Sequence, residues 1–195
     1  MTDPIPLQKA RRRSEALRLL GELSPGRRAA ASARIARWVL ESPAWARART
    51  VHTYVGSLPG EIDTQALIGA ARAQGKRVLV PVVAGRRESL RHAEIGSPGE
   101  LSRGPLGLLQ PSSPRFVEPA ADLVLVPGLL FDRRGCRIGR GGGYYDRFLA
   151  GLAGGERIGL IYDELFVDRV PTEDHDVAVD AVATPSGLHP RREAP

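Results

Sequence analysis

The sequence predicts a single α/β domain in which helices cover both faces of a mostly parallel sheet. Apolar runs rich in β-branched residues at 51–55, 77–83 and 123–126 are separated by helical patterns, and this spacing is typical of βαβ units with parallel strands. A chain of 195 residues with 42% hydrophobic residues suits one domain with a sizeable core. We therefore predict one three-layer α/β/α domain over residues 1–195, with flexible ends at 1–7 and 186–195.

Two helices are predicted before the first strand. The first is a basic amphipathic helix that begins near Gln8 and carries an apolar stripe between residues 16 and 23. The second begins at Ser24-Pro25, because serine is a favoured N-cap and proline a favoured first helical residue. Its apolar stripe, residues 35–40, is predicted to end at Ser42-Pro43.

The alternation of strands and helices that starts at Thr50 predicts a Rossmann-like scaffold. It comprises strands at 51–55 and 77–83 around a helix at about 63–74, a shorter strand at 90–95, a loop-rich segment at 96–119, a strand at 123–126, a helix at 144–152, and strands at 157–161 and near 178–183. In open parallel sheets, ligands bind at the carboxyl ends of the strands. The turns after Val55, Val83 and Val126 are therefore expected to meet in one crevice.

Charge and cysteine content narrow the class of protein. The formal net charge of +6 and the pI near 10.2 favour anionic ligands, including nucleotides, other polyanionic small molecules and nucleic acid. Cys136 is the single cysteine, so a disulfide within the chain is excluded and reducing cytoplasm is the expected setting. No apolar run resembles a secretion signal or approaches the ~20 residues of a membrane span. We expect a cytoplasmic protein that does not enter a membrane.

The most informative segment is DLVLVPGLLFDRRGCRIGRGGGYYDRFL, which runs from Asp122 to Leu149. Its apolar strand leads into a turn with glycines on both sides of Arg140, followed by Asp146 and a helical pattern. Glycines permit positive φ values and the close approach of backbone N–H groups to an anion, and arginine adds paired donors. The spacing matches neither the dinucleotide fingerprint nor the P-loop. We interpret the segment as a phosphate site rather than a flexible surface loop, with Asp146 as a candidate metal ligand.

Acidic residues elsewhere are further candidates, each with a plainer alternative. Glu61 precedes a helix, where it either stabilises the helix dipole by about 0.3–1 kcal/mol or faces the crevice. The acids between residues 173 and 176 either form a solvated loop or supply the oxygen ligands that Mg²⁺ prefers. His52, within a strand, is predicted to be a core histidine, and His175 a local hydrogen-bonding residue.

Together these motifs resemble the 5-formyltetrahydrofolate cyclo-ligase family, also called the methenyltetrahydrofolate synthetases. The segment LVPGLLFDRRGCRIGRGGGYYDRFL is similar to the family pattern of a strand, Pro-Gly, Phe-Asp, Gly-x-Arg-Leu-Gly, a glycine-rich turn and Tyr-Tyr-Asp. Three weaker elements fall in the family's order, namely Lys9 with Arg13, the turn at Glu61, and residues 171–176. The resemblance covers nearly the whole chain.

The resemblance implies an enzyme that uses ATP and Mg²⁺ to convert 5-formyltetrahydrofolate into 5,10-methenyltetrahydrofolate, releasing ADP and phosphate. It implies that ATP phosphorylates the formyl oxygen and that N10 then attacks the activated carbon. The residues carried over by position are, for ATP, Lys9, Arg13, Arg137, Ile138, Gly139, Arg140, Gly141, Gly142, Gly143, Tyr144 and Tyr145; for the folate, Gly56, Glu61, Arg140, Gly141, Gly142, Gly143 and Tyr144; for Mg²⁺, Asp146 and Asp176; and as catalytic residues, Arg140 and Tyr145.

The residues alone leave two other functions open. The arginine-rich start at 9–13 and the high pI are also typical of a nucleic-acid or polyanion binder, although such a function leaves Glu61, Asp146 and Asp176 unexplained. An enzyme like the sugar-phosphate isomerases or CoA transferases, whose folds resemble this one, would use the glycine-rich turn for phosphate without needing ATP. We predict small-molecule substrates, no nucleic-acid or membrane partner, and a monomer.

Overall fold

The computed structural model describes residues 3–83, 90–96, 98–118 and 120–192. Its helices are α1 Ile5–Glu22, α2 Pro25–Leu40, α3 Pro43–Arg47, α4 Gln65–Ala73 and α5 Tyr144–Gly151. Its strands are β1 Thr50–Thr53, β2 Arg77–Val82, β3 Arg91–Glu94, β4 Leu101–Arg103, β5 Leu109–Pro111, β6 Arg115–Val117, β7 Leu123–Pro127, β8 Leu130–Asp132, β9 Arg137–Ile138, β10 Glu156–Leu160, β11 Phe166–Val167, β12 Ala181–Thr184 and β13 Gly187–Pro190. Short 3₁₀ turns cover 98–100, 105–107 and 163–165.

The main sheet confirms the predicted α/β class. Its strands lie in the order β13-β12-β10-β7-β1-β2-β3-β6. The central strands β12, β10, β7, β1 and β2 pair in parallel. At the two edges the pairs β12–β13, β2–β3 and β3–β6 are antiparallel. The sheet is therefore mostly parallel, as the strand and helix spacing indicated.

The order of the strands also explains the layers. The chain moves in one direction along the sheet from β1 through α4 to β2, and in the opposite direction from β7 through α5 to β10. Since crossovers between parallel strands are right-handed, α4 and α5 lie on opposite faces. The direction reverses between β1 and β7, which makes the carboxyl ends of these two strands the expected ligand site.

The start of the chain differs from the prediction in one respect: three helices, not two, precede β1 within the described residues. Ser24 caps α2 as predicted, because its side chain accepts a hydrogen bond from the backbone N–H of Arg27. Ser42 does the same for the N–H of Trp45. The second Ser-Pro pair therefore begins the short helix α3 as well as following α2.

Both ends that were predicted to be flexible, 1–7 and 186–195, contain regular secondary structure in their described residues. Helix α1 already begins at Ile5, and β13 pairs with β12 in the register Ala181↔Pro190 to Thr184↔Gly187. Backbone hydrogen bonds to a buried neighbouring strand order this end of the chain. Residues 1–2 and 193–195 lie outside the described part of the chain.

Several short strands were not predicted. The segment 96–119, expected to be loop-rich, contains β4, β5 and β6 in its described part, although residues 97 and 119 lie outside it. Strands β8 and β9 form a hairpin within the glycine-rich segment, and β11 pairs with β8. Each has two or three residues, too few to give a period-2 pattern.

The core confirms the predicted role of His52. Strand β7 lies at its centre, where residues 123–126 are fully buried. The His52 side chain in β1 is also fully buried, and its Nε2 lies 3.0 Å from Nδ1 of His92 in β3. Both rings pack against Phe148 of α5. Burial lowers the pKa of His52 well below its usual value and that of His92 to about 4.

In the described part of the chain, none of the helices combines the length and the apolar character required to cross a membrane.

Candidate active site

A cleft of about 780 Å³ opens at the carboxyl ends of the central strands. Val55 after β1, Val83 after β2, and Pro127 at the end of β7 all line it. The prediction that the turns after these strands meet in one crevice is therefore confirmed. The cleft lies beside the point where the chain reverses its direction along the sheet, which is the general ligand position in folds of this class.

The glycine-rich turn forms one wall of the cleft. The hairpin β8–β9 leads into it, and α5 leaves it, so the helix N-terminus faces the cleft through Tyr144 and Tyr145. Gly141 and Gly143 have φ values of +97° and +62°, a backbone conformation that side chains disfavour. The turn and helix terminus together suit an anion.

Two arginines are associated with the glycine-rich turn: one contacts it from α1, and the other belongs to it and reaches across the cleft. Arg13 of α1 donates from Nε to the carbonyl of Gly139 at 2.9 Å. Arg140 donates from Nη2 to the carbonyl of Pro59 at 2.7 Å, and its Nε lies 4.0 Å from a Glu61 oxygen. The structure therefore brings both predicted cations to the cleft, and Arg140 spans its two walls.

Arg137 is placed differently from an ordinary phosphate ligand. Its side chain is buried, donates from Nη1 to the carbonyl of Val177 at 2.8 Å, and pairs with Asp146 at 3.0 Å. The guanidinium thus holds Asp146 and the segment at 177 in place. The neighbouring Ile138 also lines the cleft, but its side chain is buried in the core.

Acidic residues gather at the same end of the cleft. Lys9 of α1 lies between two of them, with its Nζ 2.8 Å from Glu173 and 2.6 Å from Asp176. Burial by itself lowers the pKa of Lys9, but the hydrogen bonds to Asp176 and Glu173 outweigh it and the pKa is raised. His175 is exposed and lies 3.8 Å from Asp176.

The acids and the neighbouring His175 form a set of ligand atoms that fits a hard divalent cation. Ligand atoms of Glu173, His175 and Asp176 all lie within 4.8 Å of one another. Asp146 approaches the same place, because one of its oxygens accepts a 3.4 Å hydrogen bond from the N–H of Val177, the residue after Asp176. Carboxylate oxygens are the ligands that Mg²⁺ prefers.

Glu61 lies in the opposite wall of the cleft, not at the start of α4. One of its oxygens accepts hydrogen bonds from the backbone N–H groups of Ser57 at 3.1 Å and Leu58 at 3.0 Å. Burial raises the pKa of Glu61, while those two bonds and Arg140 oppose the rise. The helix-dipole interpretation of Glu61 is therefore wrong, since Asp63 instead accepts from the N–H of Gln65 at the first residue of α4.

Gly56 does not line the cleft within the described residues. A Cβ at this position would collide with the carbonyl oxygen of Ile62. Glycine at this position therefore serves the packing of the turn after β1. The residues that reach the cleft from this turn are Tyr54, Val55, Leu58 and Glu61.

Sequence reasoning missed the apolar part of the cleft. Its side chains come from several separate segments: Tyr54, Leu58, Pro81, Leu90, Leu108 and Leu109. The run of leucines at 108–109 inside an otherwise polar, glycine-rich and proline-rich segment was the available signal. The hydroxyl of Tyr145, next to this wall, is buried and makes no hydrogen bond within the described residues, and burial raises its pKa.

The fold and the cleft define an α/β protein whose ligand site joins a cationic, glycine-rich end to an apolar end with a buried carboxylate. Comparison with known proteins then assigns the chain to a family. The profile of the 5-formyltetrahydrofolate cyclo-ligase family matches residues 7–185. The chain belongs to this family of enzymes, which confirms the resemblance noted from the motifs.

Individual relatives agree. The chain is 40% identical over 147 residues to the 5-formyltetrahydrofolate cyclo-ligase of Mycolicibacterium smegmatis, a match covering 70% of this chain and 74% of that protein. It is 35% identical over 148 residues to the enzyme of that name from Escherichia coli K12, covering 71% and 79%. The NMR structure of the Aquifex aeolicus 5,10-methenyltetrahydrofolate synthetase superposes with a TM-score of 0.82 at 28% identity, covering 96% of this chain and 94% of that one.

Proposed function

We propose that the protein catalyses the ATP- and Mg²⁺-dependent cyclisation of 5-formyltetrahydrofolate to 5,10-methenyltetrahydrofolate, with release of ADP and phosphate. The observation that carries the proposal is the pairing of two unlike ends in one cleft. One end has the glycine-rich turn, basic residues and clustered acids, and the other has the buried Glu61 beside an apolar wall. Arg140 lies between them.

The basic end of the cleft suits a nucleoside triphosphate. The turn 139–143 and the N-terminus of α5 offer backbone N–H groups, and Lys9, Arg13 and Arg140 offer positive charge. Each charge-assisted hydrogen bond contributes about 1.5–3 kcal/mol. Arg137 supports this end from behind, since its guanidinium bonds to Val177 and Asp146.

The other end suits the folate. A pterin presents N–H donors on one edge, and a carboxylate oxygen with free lone pairs accepts such donors. The N–H groups of Ser57 and Leu58 hold Glu61 through one of its oxygens and leave the other, which faces Arg140, to accept from the pterin. The leucines at 58, 108 and 109 supply apolar surface for the remainder of the ring system.

The chemistry requires the two substrates to meet. A formamide oxygen does not leave as hydroxide at neutral pH, so we propose that it attacks the γ-phosphorus of ATP while the bond to ADP breaks. N10 then bonds to the formyl carbon, the N10 proton is lost, and phosphate departs with the former formyl oxygen. Phosphoryl transfer depends mainly on positioning and on stabilising charge.

We propose that Arg140 and Tyr145 act where the two substrates meet. Arg140 reaches across the cleft to Pro59 and Glu61, which supports a position for its guanidinium between the two substrates. The buried hydroxyl of Tyr145 has no protein partner in the described residues, and because its pKa is raised it stays a neutral donor. We assign charge stabilisation to Arg140 and orientation of the formyl or phosphoryl oxygen to Tyr145.

Asp146 and Asp176 are the proposed Mg²⁺ ligands, with Glu173 close by. Mg²⁺ bound there would neutralise phosphate charge. Lys9 already bonds to Asp176 and Glu173. This side chain therefore keeps the two acids together. In the proposal Lys9 also contacts the nucleotide phosphates, while Asp176 also binds Mg²⁺.

The two alternatives account for less of the structure. A nucleic-acid binder would not need the buried Glu61 or an apolar wall inside a cleft. An isomerase-like enzyme without ATP would use the glycine-rich turn but not the acid cluster beside Lys9. The family assignment also argues against both.

Absorbance at the methenyltetrahydrofolate band provides the test. Purified protein is mixed with 5-formyltetrahydrofolate and Mg²⁺, with and without ATP. We expect the band to grow only with ATP, and one ADP to form per product. Growth without ATP would favour an ATP-independent enzyme, and no growth from folded protein would refute the proposal.

We also propose that the enzyme works in the cytoplasm as a monomer. The free and half-buried Cys136 is consistent with a reducing compartment. Light scattering coupled to size exclusion would test the oligomeric state, and a mass of twice 21.0 kDa would contradict it.

A further inference from the structure

We propose that Asp132, acting with Arg134, is a positioning residue that fastens the acidic segment 170–176 to the hairpin of the glycine-rich turn. On this view the fastening sets the affinity for the Mg²⁺-nucleotide complex without contributing to folate binding. The inference rests on the proposed function, because it assigns Mg²⁺ and nucleotide to this end of the cleft.

Asp132 is an acid with no exposed surface, at the end of β8. One of its oxygens accepts from the backbone N–H groups of Arg134 at 2.9 Å and Cys136 at 3.1 Å, which closes the β8–β9 turn. The other accepts from the N–H of Val170 at 3.0 Å and from the Arg134 guanidinium at 2.7 Å. A single buried carboxylate thus bonds two segments that are 38 residues apart in sequence.

Arg134 completes the attachment from its own side chain. It binds Asp132 with both Nε and Nη2, and the same Nη2 donates to the carbonyl of Val170 at 3.1 Å. The N–H and the carbonyl of Val170 are therefore both held by this pair. A buried carboxylate is costly unless it is paired and hydrogen-bonded, and here its bonds close the β8–β9 turn with one oxygen and join that turn to Val170 with the other.

The junction matters because of what each segment carries. The hairpin continues into Arg137 and the turn 139–143, which form the basic wall. The segment fixed at Val170 continues to Glu173 and Asp176, the acids bound by Lys9. Beyond the acids the chain is attached again, by Arg137 to Val177. Before them, strand β11 ends at Val167, and Val170 is where the backbone is next held.

The size of the effect on nucleotide affinity depends on the fraction of molecules in which segment 170–176 is correctly placed. If the segment is in the binding arrangement for only a fraction of the time, the dissociation constant rises by the inverse of that fraction. Losing the Arg134 contacts while the later attachments remain is expected to leave the segment correctly placed for roughly one tenth of the time. We expect the dissociation constant for Mg²⁺-ADP to rise about tenfold.

Arg134→Met, with Arg133→Met as its matched control, provides the test. Arg133 is the adjacent residue on the same turn, but it pairs with Asp168, whose side chain is 95% exposed. Calorimetric titrations with Mg²⁺-ADP and with 5-formyltetrahydrofolate are compared for both variants. We expect about tenfold weaker nucleotide binding in Arg134→Met alone, and folate binding within twofold of the unmodified protein in both.

A second pair removes the acid itself. Asp132→Asn is compared with Asp122→Asn, because Asp122 also accepts two backbone N–H bonds, from Arg49 and Thr50, each at 2.8 Å. Asp122 immediately precedes β7, at the opposite end of that strand from the cleft, roughly 15 Å away at about 3.3 Å per residue. Both changes lower stability, and we expect only Asp132→Asn to weaken nucleotide binding by tenfold or more. Should Asp132→Asn not fold, the Arg134 variant decides.

Hydrogen exchange separates this inference from the proposed function. Backbone amides at 170–176 should exchange faster in Arg134→Met than in Arg133→Met, whether or not nucleotide binds. Unchanged exchange, or equal weakening of nucleotide and folate binding, overturns the positioning role. An unmodified protein that fails to bind Mg²⁺-ADP at all refutes the proposed function instead, while faster exchange in Arg134→Met would still support the fastening.

Discussion

Replacing Lys9 with methionine should destabilise the protein and make its stability depend more strongly on divalent cations than that of the unmodified protein. The Lys9 ammonium is bonded to Glu173 at 2.8 Å and to Asp176 at 2.6 Å, and the Lys9 and Asp176 side chains are each 10% exposed. Methionine keeps the apolar stem of the side chain but leaves two carboxylates facing each other without a cation. Their repulsion adds to the loss of both bonds.

The magnitude follows from the burial of the pair. Removing one partner of a buried ion pair costs about 3–5 kcal/mol. Because Glu173 is 31% exposed and regains some solvation, we place the loss of unfolding free energy near 3 kcal/mol. Mg²⁺ at about 10 mM, bound with a dissociation constant on the order of 1 mM, would restore about 1.4 kcal/mol of it.

Urea denaturation with and without MgCl₂ measures both quantities, with NaCl at matched ionic strength in the second sample. Lys76→Met is the control, because Lys76 is also part-buried but donates to the carbonyls of Trp45 at 2.9 Å and Ala48 at 2.6 Å. It should lose stability, and its Mg²⁺ effect should be no larger than that of the unmodified protein. Equal stability of Lys9→Met and the unmodified protein, or a Mg²⁺ effect that is no larger in Lys9→Met than in Lys76→Met, would refute the reasoning.

Three further predictions concern the two ends of the cleft and its core. Arg140→Ala should lower kcat/KM for ATP by roughly 10- to 150-fold, the loss expected of one charge-assisted contact. Asp146→Ala should raise the Mg²⁺ concentration required for activity. Steady-state kinetics that match the unmodified enzyme for either variant would show that the residue is misassigned. Glu61→Gln should raise the KM for 5-formyltetrahydrofolate by about tenfold or more, while the KM for ATP stays within twofold. Because burial raises the pKa of Glu61 from 4.5, the pH profile of the unmodified enzyme's activity should have an acid limb above pH 4.5 that the variant lacks. An unaltered profile would remove Glu61 from the site. Since burial lowers the pKa of His92 from 6.5 to about 4, the folded protein resists protonation, and its stability should fall as pH drops from about 6.5 toward 4, by about 1–2 kcal/mol after allowance for solvent. The difference between the urea midpoints at pH 7 and pH 5 should be smaller in His92→Gln but should not vanish, because burial also lowers the pKa of His52; an equal fall in that variant would assign the acid sensitivity elsewhere.

The parts of the fold that were predictable carry their signal locally. Ser24-Pro25 begins α2 through a hydrogen bond within four residues, and the run 123–126 is apolar throughout because β7 is covered on both faces. The parallel pairing then follows from spacing alone. These elements require no knowledge of distant contacts.

The elements that were missed depend on partners far away in sequence. The hairpin β8–β9 is held by Asp132, whose hydrogen bond to Val170 reaches across 38 residues, and β13 is held by its pairing with β12. Polar residues and glycines dominate the β8–β9 turn, so the local pattern indicates a loop. Their order comes from tertiary contacts that overrule local propensity.

The site divides in the same way. Arg140, Tyr145 and Glu61 reach the cleft as the motifs implied. The burial of Arg137 and the packing role of Gly56 depend on the positions of Val177 and Ile62, which residue type and spacing do not encode. The apolar wall draws on segments from 54 to 109, and only the folded chain brings them together.

Transfer of the formyl oxygen to phosphate tests the central claim most directly. The enzyme is supplied with 5-formyltetrahydrofolate labelled with ¹⁸O in the formyl group, together with ATP and Mg²⁺, and the released phosphate is analysed by mass spectrometry. Phosphorylation of the formyl oxygen predicts one ¹⁸O atom in each phosphate formed with the methenyl product. Phosphate without the label, or methenyl product without phosphate, would contradict the proposed reaction.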